Sequence, residues 1–271
     1  MSLYYREIGR GEHTIVILHG LYGSSDNWMT IAKKLQENFR VILPDQRNHG
    51  RSFHNSEHTY DAMASDLFEL LNRLEINKIH LAGHSMGGKS AMRFAINFPE
   101  FVDSLAVIDI APKKYVLNKT NFGLAHNHSY IIDSLVSANI SALSERSEID
   151  SVLEKQLPDK ALRSFLMKNI RRNNDSGFCW QLNLDALKNN LAEILDGFSH
   201  IEPNNSAIPA LFIKGENSDY VTSVDIPVIK RFFPNSEMIT IPDTSHWLHA
   251  ENPDCLIGIL ARFFERYYNN C

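Results

Sequence analysis

Residues 79–88 read IHLAGHSMGG, and they decide the fold that we predict for this chain. The first four form an aliphatic run that is too short for a buried helix and is typical of a buried strand. The pattern G-x-S-x-G follows at Gly83, Ser85 and Gly87, and a stretch with helical spacing comes next. A serine on a sharp turn between a strand and a helix is exposed as a nucleophile, with glycines where a Cβ atom would collide with backbone. We therefore predict that Ser85 is a nucleophile and that the N–H of Met86, at the helix start, stabilises negative charge.

Short apolar runs and helical stretches alternate on both sides of this motif. The predicted strands are residues 14–18, 40–43, 79–82, 105–108, 210–213 and 237–241. The predicted helices of the same part of the chain are residues 28–35, 60–74, 89–98, 226–233 and 253–267. Strands that alternate with helices imply right-handed crossovers, so we expect an α/β fold with a doubly wound, mostly parallel sheet.

The strand signal disappears between residues 112 and 205. This segment instead has helical spacing at residues 130–136, 149–157, 162–170 and 184–195. We predict that residues 112–205 form a helical lid, inserted into a core made of residues 1–111 and 206–271.

Two further loops carry candidate catalytic groups. Residues 19–23, HGLYG, follow the strand at residues 14–18, and the backbone N–H of Leu21 is expected to be the second donor of an oxyanion hole. His246 lies in a loop between the last predicted strand and the final helix. A neutral serine needs a base to take its proton, and the order of serine and then histidine along the chain suits this role for His246.

The sequence leaves two candidates for the acid that would orient His246. Asp109 follows the strand at residues 105–108, whose end can reach the histidine. Asp219 follows the strand at residues 210–213, directly after Ser218.

The motifs resemble those of the α/β-hydrolase superfamily, and in detail those of bacterial YbfF-type esterases. The segments that carry this resemblance are HGLYGS from residue 19, PDQRNHGRS from 44, GHSMGGK from 83, IDIAP from 108 and HWLHAE from 246. The resemblance implies the α/β-hydrolase fold. It also implies that Asp109 is the acid and that Ser218 is a supporting residue, because YbfF-type esterases have a serine at the usual acid position.

This constellation predicts a serine hydrolase of carboxylic esters or thioesters with small to medium acyl groups. The chemistry passes through an acyl-enzyme on Ser85 and requires no cofactor. The same serine also suits a C–C bond hydrolase, an amidase or a cofactor-free haloperoxidase. A small-ligand receptor with little turnover is the alternative from another class of protein.

The composition of the chain argues against several kinds of partner and site. The chain has 271 residues, a net charge of −5 and no basic cluster, so nothing indicates nucleic-acid binding, and no apolar run is long enough for a membrane span. Its three cysteines, Cys179, Cys255 and Cys271, lack the spacing of a disulfide framework or a zinc site. His126 and His128 do not share a helix face, so no metal site is expected. We predict a cytoplasmic protein that acts on a small molecule, and the sequence does not indicate an oligomeric state.

Overall fold

A computed structural model describes residues 1–115, 128–173, 177–203 and 207–268. Within these residues, one sheet contains seven strands: β1 (Tyr5–Ile8), β2 (Thr14–Leu18), β3 (Arg40–Pro44), β4 (Ile79–His84), β5 (Val102–Ile108), β8 (Ala210–Gly215) and β9 (Ser236–Ile241). Their order across the sheet is β1-β3-β2-β4-β5-β8-β9. Strand β1 pairs antiparallel with β3, and the other neighbours are parallel.

Helices cover both faces of the sheet. One face packs against α2 (Tyr60–Arg73), α3 (Met86–Asn97) and α9 (Ile226–Phe232), and the other against α1 (Met29–Leu35), α10 (Leu248–Glu251) and α11 (Pro253–Glu265). Every residue of β2 and β4 is buried, as expected for central parallel strands covered on both sides. The predicted doubly wound α/β fold is therefore confirmed.

The edge strand β1 is absent from the sequence prediction. Its four residues, Tyr5–Ile8, are half-buried or exposed and contain two charged side chains. Such a segment has neither the continuous apolar run of a central strand nor a clean alternation, so its pairing with β3 has no strong local signal.

A separate group of elements lies between β5 and β8 in the chain. It contains α4 (His128–Ser137), α5 (Arg146–Glu154), α6 (Lys160–Leu166), β6 (Ile170–Arg172), β7 (Phe178–Trp180), α7 (Leu184–Asn189) and α8 (Leu191–Leu195). The buried side chains of these elements share an apolar cluster with Leu21, Tyr22 and Met86 of the core. We keep residues 112–205 as the proposed extent of this lid.

Besides its helices, the lid contains two short strands that the sequence does not predict. Strands β6 and β7 pair antiparallel, and Ile170, which the apolar spacing assigns to a helix, is the first residue of β6. The helix predicted at residues 184–195 is likewise divided at Asn190 into α7 and α8. Strands of three residues are too short to show a period of two, so the helical spacing around them dominates the pattern.

Candidate active site

Ser85 lies on the turn between β4 and α3 with φ 52° and ψ −123°, a conformation that is strained for any residue except glycine. Its N–H donates to the carbonyl O of Ile108 at 3.0 Å, which ties the turn to the neighbouring strand. A Cβ atom at Gly83 would collide with the carbonyl O of Gly87, and one at Gly87 would collide with that of His19. The two glycines of the motif therefore permit the close packing that holds Ser85 on the turn.

Asp109 and His246 form a hydrogen-bonded pair at the carboxyl ends of the strands. Nδ1 of His246 lies 2.8 Å from Oδ2 of Asp109, and a carboxylate accepts only, so Nδ1 carries the hydrogen. Asp109 is fully buried and has a φ of 51°. Its carboxylate also accepts from the Ser218 hydroxyl and, at 3.1 Å, from the N–H of Gly215. These contacts orient the ring so that its Nε2 is left as the proton acceptor.

Asp219, the other candidate acid, lies elsewhere. Its side chain is exposed, whereas those of Ser218 and Tyr220 on either side are buried. The structure therefore brings Asp109 and Ser218 to His246 and leaves Asp219 at the surface.

Ser85 and His246 line the same cleft. Its wall includes five aromatic side chains, Tyr22, Trp28, Phe165, Tyr220 and Trp247. The Tyr220 ring stacks on the His246 imidazole with 3.8 Å between ring centroids. This stacking covers one face of the imidazole ring. The apolar wall of the cleft suits an organic substrate.

The predicted oxyanion donors lie beside the nucleophile. Leu21 and Met86 both line a second cavity that also contains Ser85. In the described parts of the chain, the backbone N–H groups of Leu21 and Met86 have no hydrogen-bond acceptor. Free donors at the start of a helix and in the neighbouring loop are what a developing oxyanion requires.

A buried polar turn supports the loop that contains Leu21. His19 Nε2 accepts from the N–H of Gln46 at 2.9 Å, and His49 Nε2 accepts from the N–H of Tyr22 at 3.2 Å. Asp45 Oδ1 accepts from the N–H of Ser25 at 2.7 Å. These contacts hold the loop that contains Leu21 against the turn at residues 45–52.

Sequence reasoning gives no role to His84, the residue before the nucleophile. Its Nε2 donates to the carbonyl O of His246 at 2.8 Å and so joins the two catalytic loops. Burial, together with the nearby His246 and His249, keeps the pKa of His84 well below its ordinary value. His249 is buried, and its ring stacks on that of Trp28 with 5.0 Å between the ring centroids. The position of His84 inside the G-x-S-x-G motif is a signal for a role at the site, but its hydrogen-bond partner, His246, is distant in the sequence.

Acid is expected to destabilise the fold through its buried histidines. Burial lowers the pKa of His58 to about 3 and those of His80 and His249 to about 4. In the unfolded chain each of these histidines binds a proton below about pH 6.5, whereas in the native state it does so only near its lowered pKa. Each histidine therefore lowers the free energy of unfolding as the pH falls between these two values, by up to about 1.4 kcal/mol per pH unit. We expect the urea midpoint to fall between pH 7 and pH 5, and to fall less in His80→Phe. An unchanged wild-type midpoint would contradict this.

Other kinds of site are not found in the described residues. No group of three or more His, Cys, Asp or Glu side chains is placed to hold a metal ion there. His126 and Cys271 lie outside that part of the chain, and His128 lines the cleft. None of the helices among residues 1–115, 128–173, 177–203 and 207–268 combines the length and apolar character that crossing a bilayer requires.

Comparison with protein families matches residues 13–253 to the alpha/beta hydrolase fold family. The chain belongs to this α/β-hydrolase family. The α/β-hydrolase is 38% identical over 263 residues to the sn-1-specific diacylglycerol lipase ABHD11 of Danio rerio, with 95% of this chain and 80% of the relative covered. It is 31% identical to Esterase YbfF of Escherichia coli K12, with 92% of each chain covered. The predicted resemblance to YbfF-type esterases is thereby confirmed.

A solved structure agrees with these relatives. The structure named "Marine microorganism esterase" superimposes on this α/β-hydrolase with a TM-score of 0.91 and 42% sequence identity, over 97% of this chain and 99% of the other. The names of these proteins support a carboxylic ester hydrolase, the class of enzyme that the sequence predicts.

Proposed function

We propose that this chain is a serine hydrolase that cleaves carboxylic esters, or thioesters, of small to medium acyl groups through an acyl-enzyme on Ser85. The observation that carries the proposal is the hydrogen bond of 2.8 Å between Asp109 and His246, in a cleft that Ser85 shares with His246. A base that is oriented by a buried carboxylate and shares a cleft with a serine is the arrangement that activates a hydroxyl for acyl transfer.

In acylation, Oγ of Ser85 attacks the ester carbonyl while Nε2 of His246 takes the hydroxyl proton. The carbonyl oxygen becomes an oxyanion, which accepts hydrogen bonds from the N–H groups of Leu21 and Met86. His246 then gives the proton to the leaving alcohol or thiol as the bond between the acyl carbon and the leaving atom breaks. Asp109, held by Ser218, stabilises the imidazolium that exists between these two proton transfers.

Deacylation repeats these steps with water in place of the serine. His246 takes a proton from a water molecule, the resulting hydroxide attacks the acyl carbon, and the proton returns to Oγ of Ser85 as the acid leaves. All groups used belong to the chain itself, and the substrate is a small molecule.

Among reactions open to the same serine, we favour ester hydrolysis over C–C, amide or haloperoxidase chemistry because the relatives are named esterases and lipases. Cysteine usage supports the cytoplasm as the proposed compartment.

The direct test is hydrolysis of p-nitrophenyl esters of increasing acyl length, together with a few acyl-CoA thioesters. We expect turnover of short and medium esters by the wild-type enzyme and none above background by a matched Ser85→Ala sample. Absence of turnover on every ester and thioester, from protein that is folded by circular dichroism, would contradict the proposal and favour a ligand-binding role.

A further inference from the structure

A second cavity borders Ser85 on the side of the oxyanion donors. Its lining includes Ser85, Leu21 and Met86 but not His246. His246 lines only the first cleft of the two, and it must deliver a proton to the leaving group. The leaving alcohol therefore belongs on the side of the first cleft, and the acyl group extends towards the second cavity.

Lys89 contributes a buried ammonium group to this second cavity. It lies on α3 four residues after Ser85, hence on the same face of the helix, and only 1% of it is exposed. Its Nζ donates to the carbonyl O atoms of Asp196 and, at 3.4 Å, Leu195. It also lies 4.8 Å from the centroid of the Tyr115 ring. An ammonium has three donors, and the two carbonyl partners leave the third N–H without a hydrogen-bond acceptor among the described residues.

Among the described residues, no carboxylate lies within ion-pair distance of Lys89. The carboxylate of Asp196 instead pairs with Lys114 at 3.7 Å. Residues 116–127, which follow Tyr115 in the chain, contain no Asp or Glu at all. Burial lowers the pKa of Lys89 to about 7, and the nearby carboxylate of Asp196 only partly opposes this shift.

We propose that Lys89 binds a carboxylate on the acyl part of the substrate, so that the enzyme prefers half esters of short dicarboxylic acids to neutral esters of equal length. This inference rests on the proposed function, because it assigns the acyl group of that reaction to the second cavity. A substrate carboxylate supplies the missing counter-ion and accepts the remaining N–H, and such charge-assisted bonds are stronger than bonds between neutral groups.

The first test uses the wild-type enzyme alone. Acid release in a pH-stat gives kcat/KM for monoethyl glutarate and monoethyl adipate and for their neutral counterparts, ethyl pentanoate and ethyl hexanoate. We expect kcat/KM to be about tenfold higher or more for the half esters, the range that a hydrogen bond to a charged group provides. Equal rates, or faster hydrolysis of the neutral esters, would overturn the proposal even if no variant folds.

The second test changes the charge in the cavity. Lys89→Met removes the ammonium but keeps an unbranched apolar stem, and we expect it to lower kcat/KM about tenfold for the half esters and by less than about threefold for the neutral esters. Lys113→Met is the matched control, because Lys113 lies 5.1 Å from the same Tyr115 ring but does not line the cavity and pairs with Asp225 at 2.7 Å. The control should leave the ratio of half ester to neutral ester unchanged.

The outcomes separate this inference from the proposed function. An equal loss of both kinds of substrate in Lys89→Met would mean that the ammonium only ties the end of α8 to α3, which overturns the inference and leaves ester hydrolysis intact. If the wild type and every variant hydrolyse neither kind of ester, the proposed function itself would be overturned.

Discussion

Replacement of Ser85 by alanine is expected to lower kcat by about 10⁶-fold, the loss found when the serine of a comparable triad is removed. The reason is that no acyl-enzyme forms without Oγ, whereas the cleft and the Asp109–His246 pair stay in place. The measurement is the initial rate on p-nitrophenyl butyrate at saturating substrate, with near-ultraviolet circular dichroism as the check that the fold is kept.

Residual activity above a few per cent of wild type would contradict the role of Ser85. Because Ser85 is held at a φ of 52°, the alanine variant keeps the same backbone strain, so a lower melting temperature is not expected. If Ser85→Ala unfolds, the rate measurement would be repeated with Ser85→Cys, which keeps a side chain of similar size on the turn.

Replacement of Asp109 by asparagine is expected to cost about 10⁴ in kcat, by analogy with the same change in a serine protease. The carboxylate accepts hydrogen bonds from His246, Ser218 and Gly215, all of them donors. An amide has a donating NH₂ group in place of one acceptor, so it opposes at least one of these partners and favours the wrong tautomer of His246. The measurement is kcat on one short-chain ester.

Two variants provide controls for this result. Asp219→Asn should remain near wild type, because that side chain is exposed and lies away from His246. Ser218→Ala should give an intermediate loss, since its hydroxyl donates to Asp109 and only helps to orient the pair. A severe loss confined to Asp219→Asn would place the acid after β8 instead.

The sequence predicts the turn that carries Ser85 and the sheet well because both depend on local signals. Strand β4, the two glycines of the motif and Ser85 are consecutive in the chain, and the turn between them permits few other sequences. Buried parallel strands such as β2 are continuous apolar runs, which local patterns also show clearly.

The acid is harder to predict from the sequence because its position depends on contacts across the sheet. Asp109 and the residues that hold it, Gly215 and Ser218, are more than 100 positions apart, and Asp219 differs from Ser218 by one place in the chain. The backbone at Asp109, with a φ of 51°, decides where its carboxylate points, and no sequence pattern shows this angle.

For a similar reason, the sequence does not indicate the roles of the polar groups around the site. Lys89 reads as an ordinary polar position of an amphipathic helix, but the end of α8 covers it and makes it a buried charge. His84 has its partner 162 positions away, at the backbone of His246. Tertiary contacts of this kind override the local preference of a residue for solvent.

The central claim is that Ser85 is an activated nucleophile, and covalent labelling tests it most directly. The wild-type protein is treated with a fluorophosphonate, and the intact mass and the peptide that contains residues 79–88 are measured. We predict a single adduct, located on Ser85, that appears as esterase activity is lost and that is absent from Ser85→Ala. Loss of esterase activity with the adduct on another residue, or full activity without any adduct on Ser85, would contradict the account.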